Sequence, residues 1–140
     1  MSNQKNTLHC YAYARVSTQT DNCSLDAQRE QLRREAERRG MAVAAEFADV
    51  GPSGDRPQFA EMMERIQDGN PDGVAYVMVT KLSRFCRDTA DVLSNLQIMQ
   101  DHGVNLIAAD EGIDSATAEG RLVFPVMAGV AALGREAVRA

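Results

Sequence analysis

The sequence predicts an α/β fold: a mostly parallel sheet with helices on both faces, followed by the start of a long C-terminal helix. Three observations predict it. Strand-like and helix-like apolar patterns alternate along all 140 residues. The helical stretches stop at glycines (Gly40, Gly69, Gly103), each followed by a new strand pattern. The run 74–80 is continuously apolar, as in a strand covered on both faces.

Residues 9–16 open the chain as a buried strand of aromatic and small apolar side chains. Ser24 is placed to cap a helix that runs through Arg39, with Leu25, Gln28, Leu32 and Ala36 on one face. Residues 41–48 give a second strand. A loop at 49–58 follows from Gly51, Pro52, Ser53, Gly54 and Pro57. Pro57 suits the first turn of a helix carrying Phe59, Met62, Met63 and Ile66. After the central strand, a helix from Asp88 to His102 places Val92, Leu93, Leu96 and Met99 at helical intervals. Residues 104–109 form a fourth strand, and Glu119 begins the last helix.

Charge narrows the function. Lys+Arg is 15 against Asp+Glu 20, a net of −5, which is no overall basic coat for nucleic acid. Yet only Lys5 and Lys81 are lysine; the other cations are arginine, the side chain suited to bidentate phosphate or carboxylate contacts. A hydrophobic fraction of 44% excludes intrinsic disorder and low-complexity classes. Cys10, Cys23 and Cys86 form neither a metal spacing nor a disulfide framework, which fits a reducing, cytoplasmic setting. The longest uncharged apolar run, 122–133, is short of the ~20 residues that a membrane span needs. Only His9 and His102 are present, so a histidine metal site or a Ser-His-Asp triad has no support. Neither a P-loop nor GxGxxG occurs, and no cofactor or metal is expected.

Ligands of an open parallel sheet bind beyond the carboxyl ends of its strands. Here those ends are Arg15 to Ser17, Asp49 to Arg56, Lys81 to Arg87 and Asp110 to Asp114, and three of the four carry arginine. Residues 81–87 hold three cations and no acid, whereas 88–114 hold six acids and no Lys or Arg. Arg15 and Ser17 are two apart on one strand face, and Arg84 and Arg87 three apart on one side of a helical turn. A hydroxyl among guanidinium groups suits attack on a phosphodiester, because the cations neutralise charge that builds in the transition state. Each element has a plainer reading: a serine after a strand as a turn residue, Asp49 as a cap, Gln28 as a surface residue. The Arg-rich helix 28–39 reads as a salt-bridge-laced surface. Composition and spacing alone reach a phosphate-handling α/β domain.

The linked blocks Tyr13-Ala14-Arg15-Val16-Ser17-Thr18 and Ser24-Leu25-Asp26-Ala27-Gln28 carry more. With Asp49-Val50-Gly51-Pro52-Ser53-Gly54, Arg56-Pro57 and Lys81-Leu82-Ser83-Arg84-Phe85-Cys86-Arg87-Asp88, they resemble the serine recombinases, the resolvase and DNA-invertase family. The likeness continues through Glu111-Gly112-Ile113-Asp114 and Gly120-Arg121-Leu122-Val123-Phe124.

The resemblance implies that Ser17 is a nucleophile giving a 5′-phosphoserine link to DNA, without ATP or metal. Arg15, Arg84 and Arg87 would bind the scissile phosphate, Arg56 would join them from its loop, and Gln28 and Asp49 would support the site by hydrogen bonding. It implies residues 1–118 as the catalytic domain and 119–140 as the beginning of a dimerisation helix. Duplex DNA at specific sites, a homodimer and a synaptic tetramer would be the partners, with DNA held by a further domain beyond this chain. Ser83, Pro125 and Gly134 depart from the family pattern. They feed an alternative, a catalytically impaired regulatory or assembly module with the same fold.

Overall fold

A computed structural model describes residues 7–16, 24–51, 56–85, 89–118, 120–122 and 126. The strands are β1 (Leu8–Val16), β2 (Met41–Val50), β3 (Val74–Val79), β4 (Asn105–Ala108) and β5 (Ile113–Asp114). The helices between them are α1 (Leu25–Arg38), α2 (Pro57–Gln67), the single turn α3 (Leu82–Phe85) and α4 (Thr89–Asp101). One sheet runs in the order β2-β1-β3-β4-β5. The first four strands pair in parallel, and β5 joins β4 antiparallel.

The predicted α/β class holds, because each helix carries an apolar stripe that fits one face of this sheet. On β1, Cys10 and Ala12 face one side and Tyr11 and Tyr13 the other, as strand alternation requires. The first side packs with Leu32 and Ala36 of α1, Met78 and Ile107. The second side is the larger core, filled by Phe59, Met62, Met63 and Ile66 of α2 and by Val92, Leu96 and Met99 of α4. Burying one such side chain fully is worth about 1.5–3 kcal/mol. Ser24 caps α1 as its position suggests, accepting from the Ala27 amide at 3.1 Å. At the far end Gly40 takes φ +74°, a left-handed conformation that lets its amide bond Glu37 O and stops the helix.

The differences from expectation have physical causes. β2 runs to Val50, past the predicted end at 48, because pairing with β1 carries Asp49 into the ladder opposite Arg15. Leu93, predicted to share the buried face of α4, is 41% exposed; it lies one residue off the stripe set by Val92, Leu96 and Met99. A fifth strand of two residues has no periodicity from which to be read. Residues 120–122 and 126 are helical, where the sequence starts its last helix; Glu119, Pro125 and Gly134 lie outside the described residues.

Gly120 fixes where that helix departs. A Cβ there would stand 1.9 Å from the Asp114 carbonyl oxygen, so only glycine lets the helix start this close to β5. Thr117 caps the same turn, its hydroxyl accepting from the Gly120 amide at 2.9 Å and donating to Asp114 O at 2.8 Å. Among the described residues no helix is long and apolar enough to cross a membrane.

Candidate active site at the carboxyl ends of the strands

The end of β1 is gripped from both sides. From α1, Gln28 is fully buried; its Nε2 donates to Arg15 O at 3.0 Å and its Oε1 accepts from Arg15 N at 3.2 Å. From α3, Arg84 Nη1 donates to the same Arg15 carbonyl at 3.0 Å. The side chain that follows β3 is thus drawn against the last turn of β1, two residues before Ser17. A part-buried carbonyl taking both an amide and a guanidinium donor is well satisfied, so the backbone here is held firmly.

Asp49 lies beside this pair, opposite Arg15 in the sheet register, and is 5% exposed. It accepts three hydrogen bonds: from Tyr13 Oη at 2.8 Å, from Gln58 N at 3.0 Å and from Phe59 N at 2.9 Å. The last two are first-turn amides of α2, which have no acceptor within the helix. A strand carboxylate therefore caps α2, while the position just before the helix, Arg56, makes no side-chain cap. Burial, then the bond to Asp49, pushes the Tyr13 phenol well above its ordinary range; the charges of Arg56 and Arg15 pull the other way.

Arg56 is placed differently from the expectation of a loop cation turned to phosphate. Its side chain is 8% exposed and stacks over the Phe59 ring, 3.9 Å from the centroid. Its Nη1 donates to Phe85 O, and its Nη2 pairs with Asp91 at 3.4 Å. Rings of Tyr13, Phe59 and Phe85 meet edge to face, with centroids 5.2 and 5.3 Å apart, so the α3 turn is fastened to β1 through α2. Arg56 stabilises that fastening.

The structure therefore brings Arg15, Arg84, Gln28 and Asp49 to one end of the sheet and sets Arg56 behind them. Ser17 and Arg87 lie outside the described residues. Sequence reasoning missed Tyr13, Glu111 and Asp91. Tyr13 was signalled, being two residues before Arg15 on one strand face. Glu111 and Asp91 act across 29 and 35 residues, a distance over which no local pattern reports.

The arginines of α1 and its C-terminal cap, Arg39, are spoken for elsewhere. Arg33 makes a two-pronged contact with Glu46 at 2.7 and 2.9 Å, Arg34 pairs with Glu30 at 3.0 Å, and Arg38 and Arg39 share Glu35. Solvent screens such pairs and they contribute little to stability, so this face is a solvated surface, as read from sequence. Among the described residues no cluster of three or more His, Cys, Asp or Glu is set to hold a metal ion.

Fold and site together define an open α/β domain with arginines gathered at the strand ends of a mostly parallel sheet. The family model described as "Resolvase, N terminal domain" matches residues 10–140, and the chain belongs to that family. It is 30% identical over 128 residues to the Tn917 transposon resolvase of Enterococcus faecalis, covering 91% of this chain and 64% of that protein. It is 29% identical over 126 residues to a DNA-invertase of Escherichia phage P1, covering 90% of this chain and 62% of the invertase. The chain thus spans under two thirds of the length of these relatives. Among solved structures, a resolvase family site-specific recombinase from Streptococcus pneumoniae is 45% identical with TM-score 0.77, covering 95% of this chain and 91% of that one. The N-terminal catalytic domain of TP901-1 integrase is 27% identical, also with TM-score 0.77, covering 91% of this chain and 97% of that domain.

Proposed function

We propose that this chain is the catalytic domain of a site-specific DNA recombinase, with Ser17 the nucleophile. The observation that carries the reading is the bond from Arg84 Nη1 to the Arg15 carbonyl, which sets a guanidinium group against the strand end leading into Ser17. Family membership supports the same reading.

In this mechanism Ser17 Oγ attacks the scissile phosphorus as the 3′-oxygen of the neighbouring nucleotide leaves. The serine proton is lost and the departing oxygen gains one, so the products are a 5′-phosphoserine ester and a free 3′-hydroxyl. Attack by a 3′-hydroxyl on the ester reverses the step and rejoins the strand. One ester replaces another, so the exchange needs no ATP. Arg15, Arg84 and Arg87 bind the non-bridging oxygens and offset the charge that accumulates in the transition state. Arg56 backs the site: it adds positive charge and holds the α3 turn through Phe85. Gln28 and Asp49 hold the backbone that carries these groups. Two such subunits act as a dimer and four as a synaptic complex on duplex DNA, which a further domain recognises.

The test joins the chain to a DNA-binding domain and offers it a nicked duplex that traps the covalent intermediate. Adduct forms with the parent chain, persists in EDTA, and disappears in Ser17→Ala. Adduct in the variant overturns the nucleophile assignment, and loss in chelator points to a metal-dependent nuclease.

A further inference from the structure

We propose that the turn at 109–112, between β4 and β5, is a brace that sets α3 against α1, with Glu111 the positioning residue for Arg84. This rests on the reading of Arg84 as a phosphate ligand.

Two consecutive acids of this turn bond to two different elements of the site. Asp110 Oδ1 accepts from Gln31 Nε2 of α1, three residues beyond Gln28. Glu111 Oε1 accepts from Leu82 N, the first amide of α3, at 2.8 Å. The turn is itself fixed to β3 and its exit, because Ala109 N bonds Val79 O at 2.8 Å and Asp110 N bonds Thr80 O at 2.7 Å.

A single helical turn cannot hold its own orientation, since its nucleation cost is not offset by propagation. The residues 82–85 are held from outside at each end. At the C-terminal end, Phe85 packs on Phe59 and its carbonyl takes Arg56. At the N-terminal end, Leu82 N is an amide with no acceptor inside the helix, and Glu111 supplies one. Arg84 lies between these anchors, its own amide bonded to Lys81 O at 2.9 Å and its guanidinium on Arg15 O. Loss of the Glu111 bond frees the N-terminal anchor and lets Arg84 drift from Arg15.

The carboxylate charge works against an anion bound nearby, so any benefit of Glu111 to phosphate binding comes through the hydrogen bond. That separates positioning from electrostatics. Glu111→Gln keeps an oxygen acceptor and removes the charge, whereas Glu111→Ala removes both. The experiment titrates inorganic phosphate into the chain and its two variants at fixed ionic strength, following the Arg84 Nε–H signal by NMR and exchange of the Leu82 amide. The glutamine variant binds phosphate at least as tightly as the parent. The alanine variant binds about fivefold more weakly than the glutamine variant, the worth of one lost hydrogen bond, and its Leu82 amide alone loses protection. Equal binding by the two variants, or equal Leu82 protection in all three proteins, overturns the brace. If the parent shows no phosphate response at Arg84, the active-site reading fails and the inference fails with it; a response in the parent with equal variants removes the brace alone.

Discussion

The side-chain amide of Gln28 holds both backbone groups of Arg15, donating to its carbonyl at 3.0 Å and accepting its N–H at 3.2 Å. Backbone groups that would normally continue a strand ladder are thus held by one buried side chain from α1, with Arg84 adding a second donor to the carbonyl. Gln28→Ala leaves the Arg15 N–H without this acceptor and costs about 1–3 kcal/mol. Gln28→Glu, nearly identical in shape, does no better: it loses the donor and sets a charge against the Arg15 carbonyl. Urea denaturation of the three proteins checks this, and a glutamate variant as stable as the parent contradicts it.

Asp49 joins β1, β2 and α2 through three bonds, to Tyr13 Oη and to the amides of Gln58 and Phe59. Asp49→Ala strands all three donors and costs about 2–4 kcal/mol, whereas Tyr13→Phe removes only one and costs about 1 kcal/mol. The two changes are not additive, because the double variant loses the shared bond once. A thermodynamic cycle from chemical denaturation reads the coupling directly; strict additivity would show that the bond carries no energy.

Stability falls at alkaline pH for a reason visible in β1. Burial raises the Cys10 thiol from 9.0 to about 11, and burial together with the bond to Asp72 raises Tyr11 from 10.0 to about 12. Tyr13 is raised further, again by burial first. In the unfolded chain these groups give up protons from about pH 9 upward, while the folded chain still holds them. The unfolded state is therefore favoured increasingly across that interval. Denaturation midpoints should be level near neutrality and drop between pH 9 and 12, less steeply in Tyr11→Phe, where that deprotonation is removed. A parent midpoint unchanged to pH 11 contradicts the account.

Much of the fold was legible because the local and global preferences agree. The stripe Leu32–Ala36 and the stripe Phe59, Met62, Met63, Ile66 were read as core faces and are buried. Glycines marked the helix ends, and the cation-rich segment after β3 marked one strand end. What escaped was set by tertiary contact. The partners of Arg56, Phe85 O and Asp91, come from α3 and α4 and leave no trace near residue 56. Glu111 is likewise defined only by where β4 ends relative to β3. The charge balance is explained in the same way. Net −5 describes the whole chain, but Arg29, Arg33, Arg34 and Arg38 of α1 are paired with acids on a solvated face, while the Arg84 side chain meets Arg15 at a strand end.

The central claim is that the hydroxyl of Ser17, two residues after Arg15 in the chain, attacks DNA. The most direct measurement is peptide mapping by mass spectrometry of the adduct trapped on a nicked duplex, with the polarity of the DNA end determined on the same sample. The account predicts one modified peptide, carrying DNA through a 5′-phosphate on Ser17, and a free 3′-hydroxyl on the other fragment. DNA attached to any other residue, or joined through its 3′ end, would contradict it.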